Sequence, residues 1–240
     1  DLMVELANPQ PGERIYDPCF GMGGLLLACS QRVADAAKWV STLKSERHQN
    51  NIIFGAERNQ LVYSIATTRI VLAGTSHPCL HLTDSLDQAH CLNGEQFDIV
   101  LAHPPWGNLN ENKLFAKDRN QHYRVQSKDA TNLFLQHTMQ SLRPGGRAII
   151  AVPQGTLFRP GGDKEIRKIL LEEFHTEGII SLPEGTFAPF TGIKSSLLLF
   201  RKQEPKTKVR FLVVGRLEGT QERSVIPAES PKTITEKFRS

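Results

Sequence analysis

The sequence predicts an α/β fold, with a doubly wound, mostly parallel seven-stranded sheet and helices on both of its faces. Short β-rich apolar runs alternate with longer stretches whose apolar residues recur at helical spacing, almost from end to end, and this alternation is typical of parallel sheets. The length of 240 residues suits one large domain. The 39% hydrophobic and 22% charged residues are ordinary for a globular protein.

Strands are indicated by apolar runs of three to seven residues, and helices by apolar residues three and four positions apart. The predicted strands are 14–16, 52–55, 80–82, 97–102, 147–153, 178–182 and 195–200. The predicted helices are 24–40, 60–73, 131–142 and 164–174, the third capped by Asp129. The residues 143–146, Arg-Pro-Gly-Gly, predict a turn that ends one helix and directs the next strand.

Composition limits the classes of function. No apolar run approaches the roughly 18 residues of a membrane span, so no membrane partner is expected. The four cysteines lack the spacing of a zinc site or a disulfide framework, which predicts no metal and free thiols in a reducing cytoplasm. A net charge of +4 is compatible with a polyanionic partner but is weak evidence alone.

We expect a catalytic domain at residues 1–202 and a C-terminal extension at 203–240 that contains one further strand at 209–214. The first residues resemble the middle of an amphipathic helix, which predicts a missing N-terminal flank. The stretch 107–128 is polar without a clear period and predicts a mobile loop, whose basic residues either contact phosphate or form a solvated surface.

A glycine-rich turn, Asp17-Pro18-Cys19-Phe20-Gly21-Met22-Gly23-Gly24, joins the first strand to the first long helix. Glycine lets backbone N–H groups approach a ligand that a Cβ atom would exclude, so Gly21, Gly23 and Gly24 are candidate binding residues. Phe20 either lines a ligand or fills the core. A turn of this kind is a weak signal on its own, because structural turns look similar.

Three carboxylates strengthen the prediction of a binding site. Asp17 ends the first strand, Glu57 ends the second and Asp84, followed by Ser85, comes directly after the third. Ligands of parallel α/β sheets bind at the carboxyl edge, where an acid after the second strand can accept hydrogen bonds from ribose hydroxyls and Asp84 could accept from an exocyclic amine. A nicotinamide-dependent dehydrogenase shares these features, but it has the glycine pattern G-x-G-x-x-G.

The fourth strand ends in His103-Pro104-Pro105-Trp106. A rigid Pro-Pro turn fixes the Pro104 carbonyl and the side chain before it, and both can accept hydrogen bonds from an amino group such as adenine N6. The following Trp106 either stacks on a base turned out of a duplex or packs beneath the loop. No constellation for Ser-His-Asp or metal chemistry is visible in the sequence.

These motifs resemble the amino-methylating DNA methyltransferases, above all the modification subunit of type I restriction-modification systems. The glycine turn resembles the cofactor loop of the family, and residues 103–106 resemble its N-P-P-[YFW] catalytic segment. The segments most similar to the type I subunits are 142–147, 152–158, 164–167 and 187–194. The resemblance covers essentially the whole chain.

The resemblance implies a class I, Rossmann-like methyltransferase that transfers a methyl group from S-adenosylmethionine to adenine N6 in DNA. It implies that Asp17, Pro18, Phe20, the three glycines, Glu57, Asp84 and Ser85 bind the cofactor, and that His103, Pro104, Pro105 and Trp106 form the catalytic segment. The implied partners are DNA, a specificity subunit that reads the recognition site and a restriction subunit. A methyltransferase for RNA or a protein amide is an alternative, because N-P-P-[YFW] turns also serve those substrates.

His103 departs from the family pattern, which has asparagine at this position. An amide oxygen accepts a hydrogen bond at any pH, whereas imidazole loses its acceptor when it is protonated. Three interpretations remain open: a working but pH-sensitive acceptor, a nearly inactive homologue that binds cofactor or DNA, and a substitution that redirects the enzyme to another substrate.

Overall fold

The computed structural model describes residues 2–39, 52–75, 78–87, 94–109, 122–189, 191–215 and 229–240. Its helices are α1 (Leu2–Ala7), α2 (Gly24–Trp39), α3 (Gln60–Leu72), α4 (Ala130–Ser141), α5 (Gly162–Glu173) and α6 (Pro231–Arg239), with a 3₁₀ helix at Gln154–Leu157. Its strands are β1 (Ile15–Asp17), β2 (Ile53–Glu57), β3 (Cys79–Leu82), β4 (Phe97–Ala102), β5 (Leu142–Pro153), β6 (His175–Ser181), β7 (Ser195–Arg201) and β8 (Arg210–Val213).

The eight strands form one sheet in the order β3-β2-β1-β4-β5-β7-β6-β8. All neighbouring pairs are parallel except the two that involve β7, which runs antiparallel to β5 and to β6. The predicted fold class and all seven predicted strands are therefore confirmed. The strand count is corrected from seven to eight, because β8 pairs with β6 in the same sheet.

Two hydrophobic cores cover the two faces of the sheet. One core contains residues of α1, α2, α3 and α6, and the other contains residues of α4 and α5. Neighbouring strand residues point to opposite faces, so Ile15 belongs to the first core and Tyr16 to the second. The helices thus flank the sheet on both sides, as the sequence predicts.

Local sequence explains where several helices begin. The Asn59 side chain accepts hydrogen bonds from the backbone N–H groups of Leu61 and Val62 at 3.0 and 3.1 Å, which caps α3. The predicted cap Asp129 accepts from Thr131 N at 2.8 Å and begins α4. α4 ends at Ser141, but residues 143–146 form a bulge inside β5 rather than a separate turn.

The two ends of the predicted loop 107–128 lie together, because Leu109 N donates to the Lys128 carbonyl at 3.0 Å and Ala130 N donates to the Gly107 carbonyl at 2.9 Å. Its middle, residues 110–121, lies outside the described residues, so the predicted mobility is untested. Within the described part, Arg124 forms an exposed ion pair with Glu173. No described helix has the length and apolar character needed to cross a membrane.

Candidate active site

The order of the strands reverses between β1 and β4, which are parallel neighbours at the centre of the sheet. From β1 the chain continues outward to β2 and β3, whereas from β4 it continues to the opposite side through β5. Asp17 is the last residue of β1, and His103 follows the last residue of β4. The two sequence motifs therefore meet at the switch point, where ligands of doubly wound sheets bind.

A cavity of about 230 Å³ lies at this carboxyl edge. Five of the residues predicted from sequence line it: Pro18, Glu57, Asp84, Ser85 and Pro105. Seven further residues line the cavity, namely Cys19, Ala56, Arg58, Thr83, Leu86, Leu109 and Phe134. The cavity combines two carboxylates with an apolar wall.

The carboxylate of Glu57 accepts two backbone hydrogen bonds. Gly21 N donates to Glu57 Oε2 at 3.1 Å, and Asn59 N donates to Oε1 at 2.8 Å. Asp84 accepts from Leu86 N at 3.0 Å, and its other oxygen lies 4.0 Å from Arg58. Both carboxylates are therefore oriented by the backbone while they face the cavity.

Asp17 lies behind the cavity rather than on its surface. Its side chain is buried, at 2% exposure, and accepts a hydrogen bond from Cys19 N at 3.0 Å. The pKa of Asp17 is raised from 3.8 to about 7, chiefly by burial and to a lesser degree by the nearby Glu57 charge, while hydrogen bonding to Cys19 opposes the rise. Asp17 thus supports the turn from beneath and carries a proton through much of the acidic range.

The glycines of the turn adopt backbone conformations that favour glycine. Gly21 and Gly23 have φ of 51° and 75°, and a Cβ atom on Gly23 would lie 2.8 Å from the Ile70 side chain. Gly24 begins α2. Phe20 is buried in the core, where its ring lies 6.1 Å from that of Tyr63, so the structure favours the core-filling alternative for this residue.

The catalytic segment predicted from sequence brings His103 and Trp106 into contact. Their ring centroids lie 5.5 Å apart. Trp106 is half-buried, and its indole N–H donates to the Ala151 carbonyl at 3.3 Å. The His103 side chain is exposed on one side, yet the surrounding protein lowers its pKa by desolvation. The imidazole is therefore neutral at neutral pH.

One aromatic residue at this position was missed as a site residue by the sequence analysis. Phe187, from the connection between β6 and β7, lies 4.2 Å from the His103 ring centroid and 5.6 Å from that of Trp106. The sequence pointed to Phe187 through its place in the segment 187–194, one of the segments that resemble the type I subunits. Within the described ranges, no group of three or more histidine, cysteine or acidic side chains could hold a metal ion.

The chain has the fold of the class I S-adenosylmethionine-dependent methyltransferases, as the solved structures that match it indicate. The family model for N-6 DNA methylases matches residues 1–239. The chain therefore belongs to the N-6 DNA methylase family, which confirms the family resemblance found in the sequence.

Among curated proteins, the chain is 34% identical over 210 residues to the methylase subunit of the type I restriction enzyme EcoEI from Escherichia coli, covering 87% of this chain and 42% of that protein. Among solved structures, it is 30% identical to a chain of a type I restriction-modification system, with a TM-score of 0.78 over 99% of this chain and 48% of the other. The M protein of EcoKI shares the fold with a TM-score of 0.81 at 22% identity, covering 99% of this chain and 51% of that one. The chain spans about half the length of these relatives or less.

Proposed function

We propose that this chain transfers a methyl group from S-adenosylmethionine to N6 of adenine in DNA, as part of the modification subunit of a type I restriction-modification system. The observation that carries the proposal is the meeting of two motifs at the switch point of the sheet. The turn after β1 and the carboxylates at the ends of β2 and β3 surround one cavity, and the His103–Trp106 segment borders it through Pro105. This arrangement supports a cofactor site directly beside a site for an amino group.

The lining residues fit the chemical groups of the cofactor. Glu57 offers carboxylate oxygens to ribose hydroxyls, and Asp84 offers an acceptor to the adenine amine. Leu86 and Phe134 supply apolar surface for the adenine ring. The positive φ angles of Gly21 and Gly23 let the chain turn closely around a ligand. When bound, the cofactor supplies a methyl group on a positively charged sulfur.

Transfer to adenine N6 requires that the nitrogen lone pair, which is delocalised into the ring, becomes available to the methyl carbon. The Pro104 carbonyl and the unprotonated nitrogen of His103 can each accept one N6 hydrogen. Burial lowers the pKa of His103, so the imidazole keeps its acceptor at neutral pH. This supports the interpretation of His103 as a working, pH-sensitive acceptor.

The proposed partners are DNA, a specificity subunit that selects the site and a restriction subunit, with the complex acting in the cytoplasm. The named relatives are methylase subunits or chains of type I systems, which favours DNA over RNA or a protein amide as the substrate. For Trp106, the hydrogen bond to Ala151 supports a packing role; stacking on a base remains part of the proposal for its exposed surface.

The experiment is a methyl-transfer assay on duplex DNA, with N6-methyladenine detected by mass spectrometry in the presence and absence of the specificity subunit. We expect methylation that depends on S-adenosylmethionine and that becomes site-specific when the specificity subunit is present. A cofactor-bound protein that methylates no DNA under either condition would support the non-catalytic alternative instead.

A further inference from the structure

Three aromatic rings form a cluster at the carboxyl end of β4. The Phe187 ring lies against the His103 ring with centroids 4.2 Å apart, and the two planes are tilted by 30°. Trp106 meets both rings at steeper angles, 64° with His103 and 84° with Phe187. The imidazole therefore has one ring against its face and a second ring at the side.

The two partner rings are held more firmly than the imidazole. Trp106 is anchored to β5 through the Ala151 carbonyl. Phe187 is half-buried against the core, and hydrogen bonds from Thr186 to the Pro183 carbonyl and from Ala188 N to the Gly185 carbonyl fold the segment around it. His103 is exposed on its free side. Its own side-chain torsions are therefore restrained mainly by the rings that it touches.

The main chain of His103 is restrained as well, because it directly follows β4, whose last residue Ala102 pairs with Ile150 of β5. With the backbone fixed, the direction of the ring nitrogens depends on the side-chain torsions alone. The tilted contact with Phe187, at a centroid distance of 4.2 Å, limits the rotation of the imidazole. Aromatic pairs of this kind shift an equilibrium by roughly 2- to 12-fold.

We propose that Phe187 is a positioning residue, which stacks on the imidazole of His103 and thereby directs its unprotonated nitrogen towards the amino group to be methylated. The identity of that amino group rests on the proposed function, whereas the stacking itself does not. The competing explanation is that Phe187 contacts the substrate base directly and merely rests on His103 in its absence. The two explanations differ in whether the effect of Phe187 requires the imidazole.

The first experiment measures the ring contact in the free protein by NMR. The His103 imidazole resonances, assigned by their loss in His103→Asn, should lie upfield because of the Phe187 ring current. In Phe187→Ala they should move to ordinary positions, and the His103 pKa should rise towards its usual value, because desolvation by the surrounding protein lowers that pKa. Phe187→Tyr should restore both signals.

The control for this experiment is Phe158→Ala, which removes a ring that is 71% exposed and is not one of the three rings of the cluster. The control should leave the His103 resonances unchanged. Identical His103 shifts and pKa in wild type and Phe187→Ala would overturn the proposal, whatever the outcome of any activity assay. This arm therefore remains decisive even if the proposed methylation is not observed.

The second experiment is a double-mutant cycle on methyl transfer with the assembled enzyme. Phe187→Ala should lower kcat by roughly 3- to 10-fold with little change in KM for DNA. In the His103→Asn background, the same change should have almost no effect. An equal loss in both backgrounds would show that Phe187 acts on the substrate directly and would refute its action through His103.

Discussion

Replacing Asp17 with Asn should stabilise the protein at alkaline pH. The carboxyl is buried and its pKa is raised from 3.8 to about 7, chiefly by desolvation. Asn is isosteric, keeps an oxygen to accept the hydrogen bond from Cys19 N, and carries no charge to desolvate. The variant therefore removes the electrostatic penalty while preserving the geometry of the turn.

The sign and size of the effect follow from the two pKa values. Between pH 3.8 and about 7, the folded protein keeps a proton that the unfolded chain has lost, so raising the pH favours unfolding in this range. The shift of about three units corresponds to about 4 kcal/mol at pH values above 7. Below pH 3.8 both states are protonated, and the penalty disappears.

The assay is urea unfolding followed by circular dichroism, on wild type and Asp17→Asn at matched pH values. The stability advantage of the variant should widen by about 3 kcal/mol between about pH 5 and about pH 8. Other titrating groups affect both proteins alike and cancel in the difference. A difference that stays constant across this range, or a variant that is less stable at pH 8, would show that Asp17 is not a buried, high-pKa carboxyl.

Three further predictions concern activity and stability. The kcat for methyl transfer should fall as the pH drops below the lowered pKa of His103. The kcat of His103→Asn should not change with pH over the same range. Gly178→Ala should lower the free energy of unfolding by roughly 1 to 3 kcal/mol and reduce hydrogen-exchange protection in β8, because the added Cβ would lie 2.6 Å from a β8 carbonyl oxygen. Gly192→Ala is the neutral control, because the space around Gly192 is open. Arg147→Met should lower the free energy of unfolding in urea by about 3 to 5 kcal/mol, since it breaks a bidentate ion pair with Glu13 and removes the side-chain donor to the carbonyls of Ala7 and Asn8. A loss as small as that of Arg124→Met, which breaks an exposed pair, would contradict this.

Local sequence was sufficient for most elements on the central part of the sheet. Helix-starting signals at Asn59 and Asp129 act through side chains that contact the next two or three residues, so they can be found without tertiary information. The glycine turn is similar, since its φ angles are a property of the residues themselves. Such features depend on neighbours in the chain and are readily predicted.

Features that depend on distant contacts were not predicted. The antiparallel direction of β7 has no local signature, because a buried apolar run looks the same in either direction. Helix α6 was not predicted, although Ser230 caps it and Pro231 is its first residue. The role of its apolar residues is visible only in the folded protein, where Phe238 packs against Gly178 of β6. The residues that make this contact are too far apart in the chain for local patterns.

The residues of the candidate site divide in the same way, into those that local sequence predicts and those that depend on distant contacts. Glu57 and Asp84 lie at the ends of strands whose carboxyl ends must share an edge, so their position around a common cavity could be predicted. Phe20 was ambiguous because a buried aromatic and a ligand-facing one have the same local pattern, and only packing against Tyr63 separates them. Phe187 reaches His103 from beyond β6, a distance that no spacing rule spans.

The central claim is that the cavity at the switch point binds S-adenosylmethionine, and isothermal titration calorimetry tests it most directly. Wild type should bind the cofactor at one site, and Glu57→Gln should weaken binding by roughly 10- to 100-fold, because hydrogen bonds to a charged acceptor are lost. The exposed Glu172→Gln on α5 should bind as wild type does. Equal affinities for wild type and Glu57→Gln, or no binding by a folded wild-type protein, would contradict the claim.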